Sequence, residues 1–108
     1  MLRIEGARIM RIIAVGTLRD FWSQRGRGDA EQPLRTWTHV VKAADWSKPS
    51  DVKLMFRSAD ILPSGRAIFD IGGNKYRLVV HFSYKFKTAL IKFVGTHKEY
   101  DSIDAETV

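Results

Sequence analysis

The stretch "RAIFDIGGNKYRLVVHFSYKFKTALIKFVGTH", residues 66–97, decides the fold. Hydrophobic side chains recur in it with a period of two, the period of a half-buried strand. Ala67, Phe69 and Ile71 share one face. So do Tyr76, Leu78, Val80 and Phe82, with Arg77, Val79, His81 and Ser83 on the other. In the third run Ala89, Ile91 and Phe93 alternate with Leu90, Lys92 and Val94. "GGN" (72–74) is a tight-hairpin signal, because glycine and asparagine accept the positive φ of a primed turn. "KFK" (85–87) makes the second connection. Three strands joined by short turns form an antiparallel meander, whose apolar face other elements must cover.

Upstream the pattern is helical. "MRIIAV" (10–15) reads as a short β-branched strand, and Met10 is a plausible start, which makes residues 1–9 an extension. From Gly16 a helix is expected, with Thr17 as cap, Leu18, Phe21 and Trp22 on one face, and Gly26 and Gly28 ending it. Leu34, Trp37, Val41 and Ala44 then form one apolar stripe of a second helix. Asp29 is its possible cap, Pro33 fits its first turn, and His39 falls off the stripe. Ser50 is expected to cap one further turn of helix, and "RSADILPSG" (57–65) reads as loop. The fold class is therefore α+β. A small antiparallel sheet, the N-terminal strand plus the three-stranded meander, packs against two N-terminal helices as one domain over residues 10–104, with 105–108 as a tail.

The chain has 108 residues, enough for a single modest core. It has no cysteine, which excludes disulfides and thiolate chemistry and fits a reducing cytoplasm. No apolar run approaches the roughly 20 residues of a membrane span. Arg3, Glu5, Arg8 and Arg11 interrupt any signal-peptide core. The net charge of +6 is concentrated: residues 66–98 hold seven basic side chains against Asp70 alone, and the remainder is neutral. Such a surface suits a polyanion such as nucleic acid, or it simply solubilises the protein.

The scattered histidines His39, His81 and His97 match no zinc spacing, and no phosphate-loop or nucleophile-elbow motif is present. Neither a metal nor a cofactor is expected. If the meander pairs so that residues 75–77 face 95–97, then Lys75, Arg77 and His97 gather at its open end, with Tyr100 just beyond. A one-residue bulge would alter that register. Each group has an ordinary structural reading as well. Arg77 can cover a polar sheet face, His97 can cap a turn, Tyr100 can be core, and Lys75 and Lys98 can be solvated. Glu99 and Asp101 suit a helix start. Together, however, the groups fit metal-free RNA cleavage by the 2′-hydroxyl. That step needs a base, an acid and a cation for the phosphoryl oxygens.

Two blocks, "GGNKYRL" (72–78) and "GTHKEYDSID" (95–104), closely resemble the toxins of HigB-family type II toxin–antitoxin systems, a branch of the RelE-like mRNA interferases. Weaker similarity runs back through "KPSDVKLMF" to Met10. The resemblance implies a RelE-like fold, cleavage of translated mRNA in the ribosomal A site, and a HigA-type helix-turn-helix antitoxin as partner. It carries over onto Arg77 as phosphate or transition-state stabiliser, and onto His97 and Tyr100 as acid–base groups. Lys75 is a weaker carry-over to the catalytic set. Lys85, Lys87, Lys92 and Lys98 are expected to contact RNA or ribosome, and base and acid remain open among His97, Tyr100 and Lys75. A non-catalytic RNA-binding module and a RelE-fold toxin acting on a protein are the competing readings.

Overall fold

A computed structural model describes residues 9–108; the expected extension, apart from Ile9, lies outside the described residues. The elements are β1 (Arg11–Ile13), α1 (Gly16–Trp22), a 3-10 turn (Gly28–Ala30), α2 (Glu31–Ala43), α3 (Pro49–Met55), β2 (Asp60–Ile61), β3 (Arg66–Ile71), β4 (Tyr76–Ser83), β5 (Thr88–Thr96) and α4 (His97–Tyr100). They build a five-stranded sheet in the order β1-β5-β4-β3-β2.

The meander forms as expected, and two additions extend it. β1 joins the edge of β5 in parallel, Arg11 opposite Thr88, so the sheet is mixed rather than wholly antiparallel. The helices and strands between β1 and β5 supply the long crossover that parallel pairing needs. β2 lies within the segment expected to be loop. Its two residues pair with Ile68 and Ala67, and a Leu62–Gly65 turn with Gly65 at φ +89° returns the chain. Two residues are too few to show a period.

α2 buries the expected stripe of Leu34, Trp37 and Val41, followed by Ala44, against the sheet. Edge-to-face rings fill the layer: Trp37 on Phe69 at 5.4 Å, Phe56 on Phe69 at 5.0 Å and Trp46 on Phe82 at 5.6 Å. Leu18 and Phe21 of α1 are buried with them. Trp22 is only half-buried, and the Arg35 guanidinium lies over its ring at 4.9 Å. Neither expected hydroxyl cap forms. Ala14 at φ +69° turns the chain so that α1 starts after Val15, and Pro49 takes the first turn of α3, after Lys48. Asp29 does not cap α2 either, which continues directly from the 3-10 turn with Ala30 before it. No helix among the described residues is long and apolar enough to cross a membrane.

One irregularity shapes the functional end of the sheet. Ser83, not Tyr84, pairs with Thr88, one step from the expected register at the turn. A bulge then intervenes: Val80 pairs with Ile91 but Val79 with Phe93, leaving Lys92 as the extra residue. The two offsets cancel, so Arg77 stands opposite Gly95 and Tyr76 opposite Thr96, the register expected for the open end. The bulge also exchanges the faces of two side chains. Val94 packs on the core, and Phe93, expected there, turns to the opposite face beside Val79.

Candidate active site

The site lies on the sheet face away from α1 and α2, at the end of β4 and β5 nearest the "GGN" turn. Arg77 projects from β4 with its side chain only 12% exposed. Across β3 it meets Asp70, directly opposite in register, with Nη1 3.2 Å from Oδ1. Nη1 also donates to the carbonyls of Asn74 and Tyr76 at 3.4 Å. The guanidinium is thus fixed in place, and the carboxylate beside it offsets part of its charge.

Gly95, opposite Arg77, lies in a crowded place. A Cβ there would stand 2.5 Å from the Phe93 ring and 2.9 Å from Glu99 Oε1. Next in the chain, Thr96 caps α4 with a complete capping box: the Glu99 amide donates to Thr96 Oγ1 at 3.1 Å, and the Thr96 amide to Glu99 Oε1 at 2.8 Å. This one turn projects His97 and Tyr100. The His97 amide bonds the Lys75 carbonyl at 3.3 Å, so the two blocks meet backbone to backbone. The imidazole is half exposed, with Nδ1 3.6 Å from Asp101 Oδ2 one turn later. The Tyr100 ring packs against Phe93 at 6.4 Å. Burial, and then the negative charge of Asp60, raise the Tyr100 pKa above that of an ordinary phenol, while Arg77 opposes this. Tyr100 is therefore close enough to Arg77 to feel its charge.

Lys75 sits at the same end but is not free. Its Nζ donates to Asp29 Oδ2 at 2.5 Å, and this bond raises the ammonium pKa further from neutrality. Lys98 is exposed on α4 beside the site. The remaining lysines lie elsewhere. Lys85 and Lys87 occupy the β4–β5 turn, six residues along β4 from Arg77, roughly 20 Å at about 3.3 Å per residue. Lys87 is engaged there by Asp45 at 2.8 Å and the Trp46 carbonyl at 2.9 Å, with φ +53°. Lys92 is the half-buried bulge residue in mid-strand.

Sequence reasoning missed Asp70, Arg27 and Asp29. The register would have paired Asp70 with Arg77. The other two belong to the loop after α1, and Arg27 grips Glu99 with a two-pronged ion pair of 2.9 and 2.6 Å across 72 residues of chain. Nothing local signals that contact.

A five-stranded mixed sheet with helices packed on one face is consistent with the RelE-like class of toxins. The family model described as "HigB_toxin, RelE-like toxic component of a toxin-antitoxin system" matches residues 30–103. Among curated proteins, an mRNA interferase HigB of Escherichia coli O6:H1 is 26% identical over 72 residues, 65% of this chain and 70% of its own. The mRNA interferase toxin HigB of Escherichia coli K12 and an mRNA interferase HigB of Shigella flexneri are each 34% identical over 69 residues, 62% of this chain and 66% of theirs. The chain thus spans about two thirds of these relatives' length. It belongs to the HigB toxin family, and an antitoxin is its implied partner.

Proposed function

We propose that this protein is a type II toxin that cuts mRNA during translation, as a metal-independent endoribonuclease acting in the ribosomal A site. The juxtaposition of Arg77 with the α4 turn that carries His97 and Tyr100 is the observation that carries this reading. In the step we envisage, the 2′-oxygen loses its proton and bonds to the adjacent phosphorus. The bond from phosphorus to the 5′-oxygen breaks, and that oxygen takes up a proton. The products are a 2′,3′-cyclic phosphate and a 5′-hydroxyl.

Arg77 suits the phosphoryl oxygens, because its planar fork stays charged and is already oriented; such a donor contributes on the order of 10²–10³ in rate. The half-exposed imidazole of His97, with Asp101 behind it, suits the base that takes the 2′-proton. Tyr100 is protonated at neutral pH, as any phenol is, and burial shifts its pKa further up, so it holds a proton to give as the acid. Lys75 is better read as a fixed cation than as a base, since Asp29 stabilises its charged form. Lys98 remains an RNA contact. Lys85 and Lys92 stand further off, as contacts to RNA backbone or ribosome, whereas the ties of Lys87 to Asp45 and Trp46 give it a structural task as well. The cognate antitoxin is expected to be a HigA-type helix-turn-helix protein.

Expression of wild type, Arg77→Ala and His97→Ala, with mapping of transcript 5′ ends, tests the reading. New codon-associated ends with wild type alone are expected. Growth arrest without such ends would instead favour a non-catalytic ribosome binder or a toxin acting on a protein.

A further inference from the structure

The loop after α1, "RGD" at 27–29, reaches both sequence blocks that build the site, and no part of the proposed reaction uses it. Arg27 takes Glu99 in the two-pronged pair described above. Asp29, two residues on, accepts from Lys75 Nζ through one carboxylate oxygen and from Tyr76 Oη through the other, each at 2.5 Å. The loop itself is anchored. The Arg27 guanidinium lies over the buried Phe21 ring at 4.8 Å, and Phe21 meets Tyr76 edge to face at 5.3 Å. Gly26 at φ +80° supplies the bend that turns Arg27 toward α4. The chain Arg27–Phe21–Tyr76–Asp29 thus closes on itself and is attached to β4 at one side and α4 at the other.

We infer that Arg27 and Asp29 are positioning residues, a clasp that sets the α4 turn carrying His97 and Tyr100 against the strand carrying Arg77. The inference rests on the cleavage reading above. Its physical basis is leverage. α4 is a single turn, held besides this pair by the capping box, the bond from the His97 amide to the Lys75 carbonyl, the chain itself and Phe93 beneath Tyr100. A two-pronged arginine–carboxylate pair fixes direction as well as distance, which a single lysine contact does not. The clasp holds Glu99 strongly in its ionised form: the Arg27 hydrogen bonds, then the Thr96 amide, lower the Glu99 pKa to about 2. Neither Arg27 nor Asp29 donates or accepts a proton in the reaction. They act through His97, Tyr100 and Lys75.

The test is multiple-turnover cleavage of a defined mRNA on stalled ribosomes by Arg27→Lys, Asp29→Asn, Glu99→Gln and the Arg27→Lys/Glu99→Gln double variant, with Arg35→Ala as a remote charge control. Misplacement of a reacting group by about 1 Å costs on the order of 10²-fold, so Arg27→Lys should lose roughly 10- to 100-fold in kcat with KM changed less than about threefold. Glu99→Gln keeps the acceptor for the Thr96 amide. The double variant should therefore lose no more than the worse single one, because both break the same contact. Ring resonances of the three histidines supply a second readout. His97 should shift in Arg27→Lys while His39 and His81 stay, whereas general loosening would move all three. Arg27→Lys with wild-type kcat and an unshifted His97 overturns the clasp. A wild-type chain that cuts nothing overturns the cleavage reading and the positioning role with it.

Discussion

Gly95→Ala probes the site's architecture with one methyl group. The added Cβ would lie 2.5 and 3.0 Å from two atoms of the Phe93 ring and 2.9 Å from Glu99 Oε1. Ordinary carbon contacts lie near 3.5–4.0 Å, so the ring must withdraw by about 1 Å. Glu99 cannot give way freely, since the same oxygen accepts the Thr96 amide at 2.8 Å and Arg27 Nη1 at 2.9 Å. Overpacking of this kind costs about 1–3 kcal/mol. For a domain of this size each kcal/mol lowers Tm by about 4–8 °C, so a fall of roughly 4–24 °C is expected in a thermal melt. Cleavage should fall further than the folded fraction explains, because Phe93 supports Tyr100 and Glu99 holds α4. Phe93→Ala in the same chain removes the tighter clash and should restore part of the Tm. A Gly95→Ala protein that melts within about 1 °C of wild type and cuts at its rate would refute this account of the glycine, on a scale where 1 kcal/mol is worth several degrees.

Other consequences can be checked alongside. Arg77→Lys keeps the charge but loses the fork, and should cut at least about 10²-fold more slowly in a single-turnover assay without loss of fold. Asp70→Asn removes the carboxylate 3.2 Å from Arg77 and should tighten RNA binding, measured as a lower Kd at fixed salt. The pH dependence of stability follows from Glu99. Its folded pKa, about 2, lies below the ordinary 4.5, so its contribution is complete above about pH 4.5 and disappears as pH falls through about 2. Because the pair is partly solvated, its worth is about 1 kcal/mol. Denaturant titrations at pH 6 and pH 2.5 should show a smaller difference for Glu99→Gln than for wild type. In the core, Trp37→Ala should cost about 3–5 kcal/mol, read as a shift of the denaturant midpoint.

The fold was legible where the hydrophobic period was long. Strands of six to nine residues and the α2 stripe declared themselves. β2 did not, because two residues carry no period, and the parallel placement of β1 is a matter of topology rather than pattern. The bulge at Lys92 left no sequence signal, so the face of Phe93 was read the wrong way round, although the register at the functional end was unaffected. For the site, "GGNKYRL" and "GTHKEYDSID" pointed to Arg77, His97 and Tyr100, and the structure brings their backbones together. The helix-start position foreseen for Glu99 holds, and there its Oε1 accepts the Thr96 amide. Its second role, receiving Arg27, was invisible because ion pairs between distant segments depend on three-dimensional packing alone. The charge count likewise treated Lys75, Arg77 and Lys87 as free cations, yet each has an acid beside it.

The chemistry of the RNA ends tests the central proposal most directly. Purified protein, programmed ribosomes and a labelled message should yield fragments ending in a 2′,3′-cyclic phosphate and beginning with a 5′-hydroxyl. The yield should collapse for Arg77→Ala and His97→Ala. Fragments carrying a 5′-phosphate and a 3′-hydroxyl, or undiminished cleavage by either variant, would contradict the proposed reaction at this site.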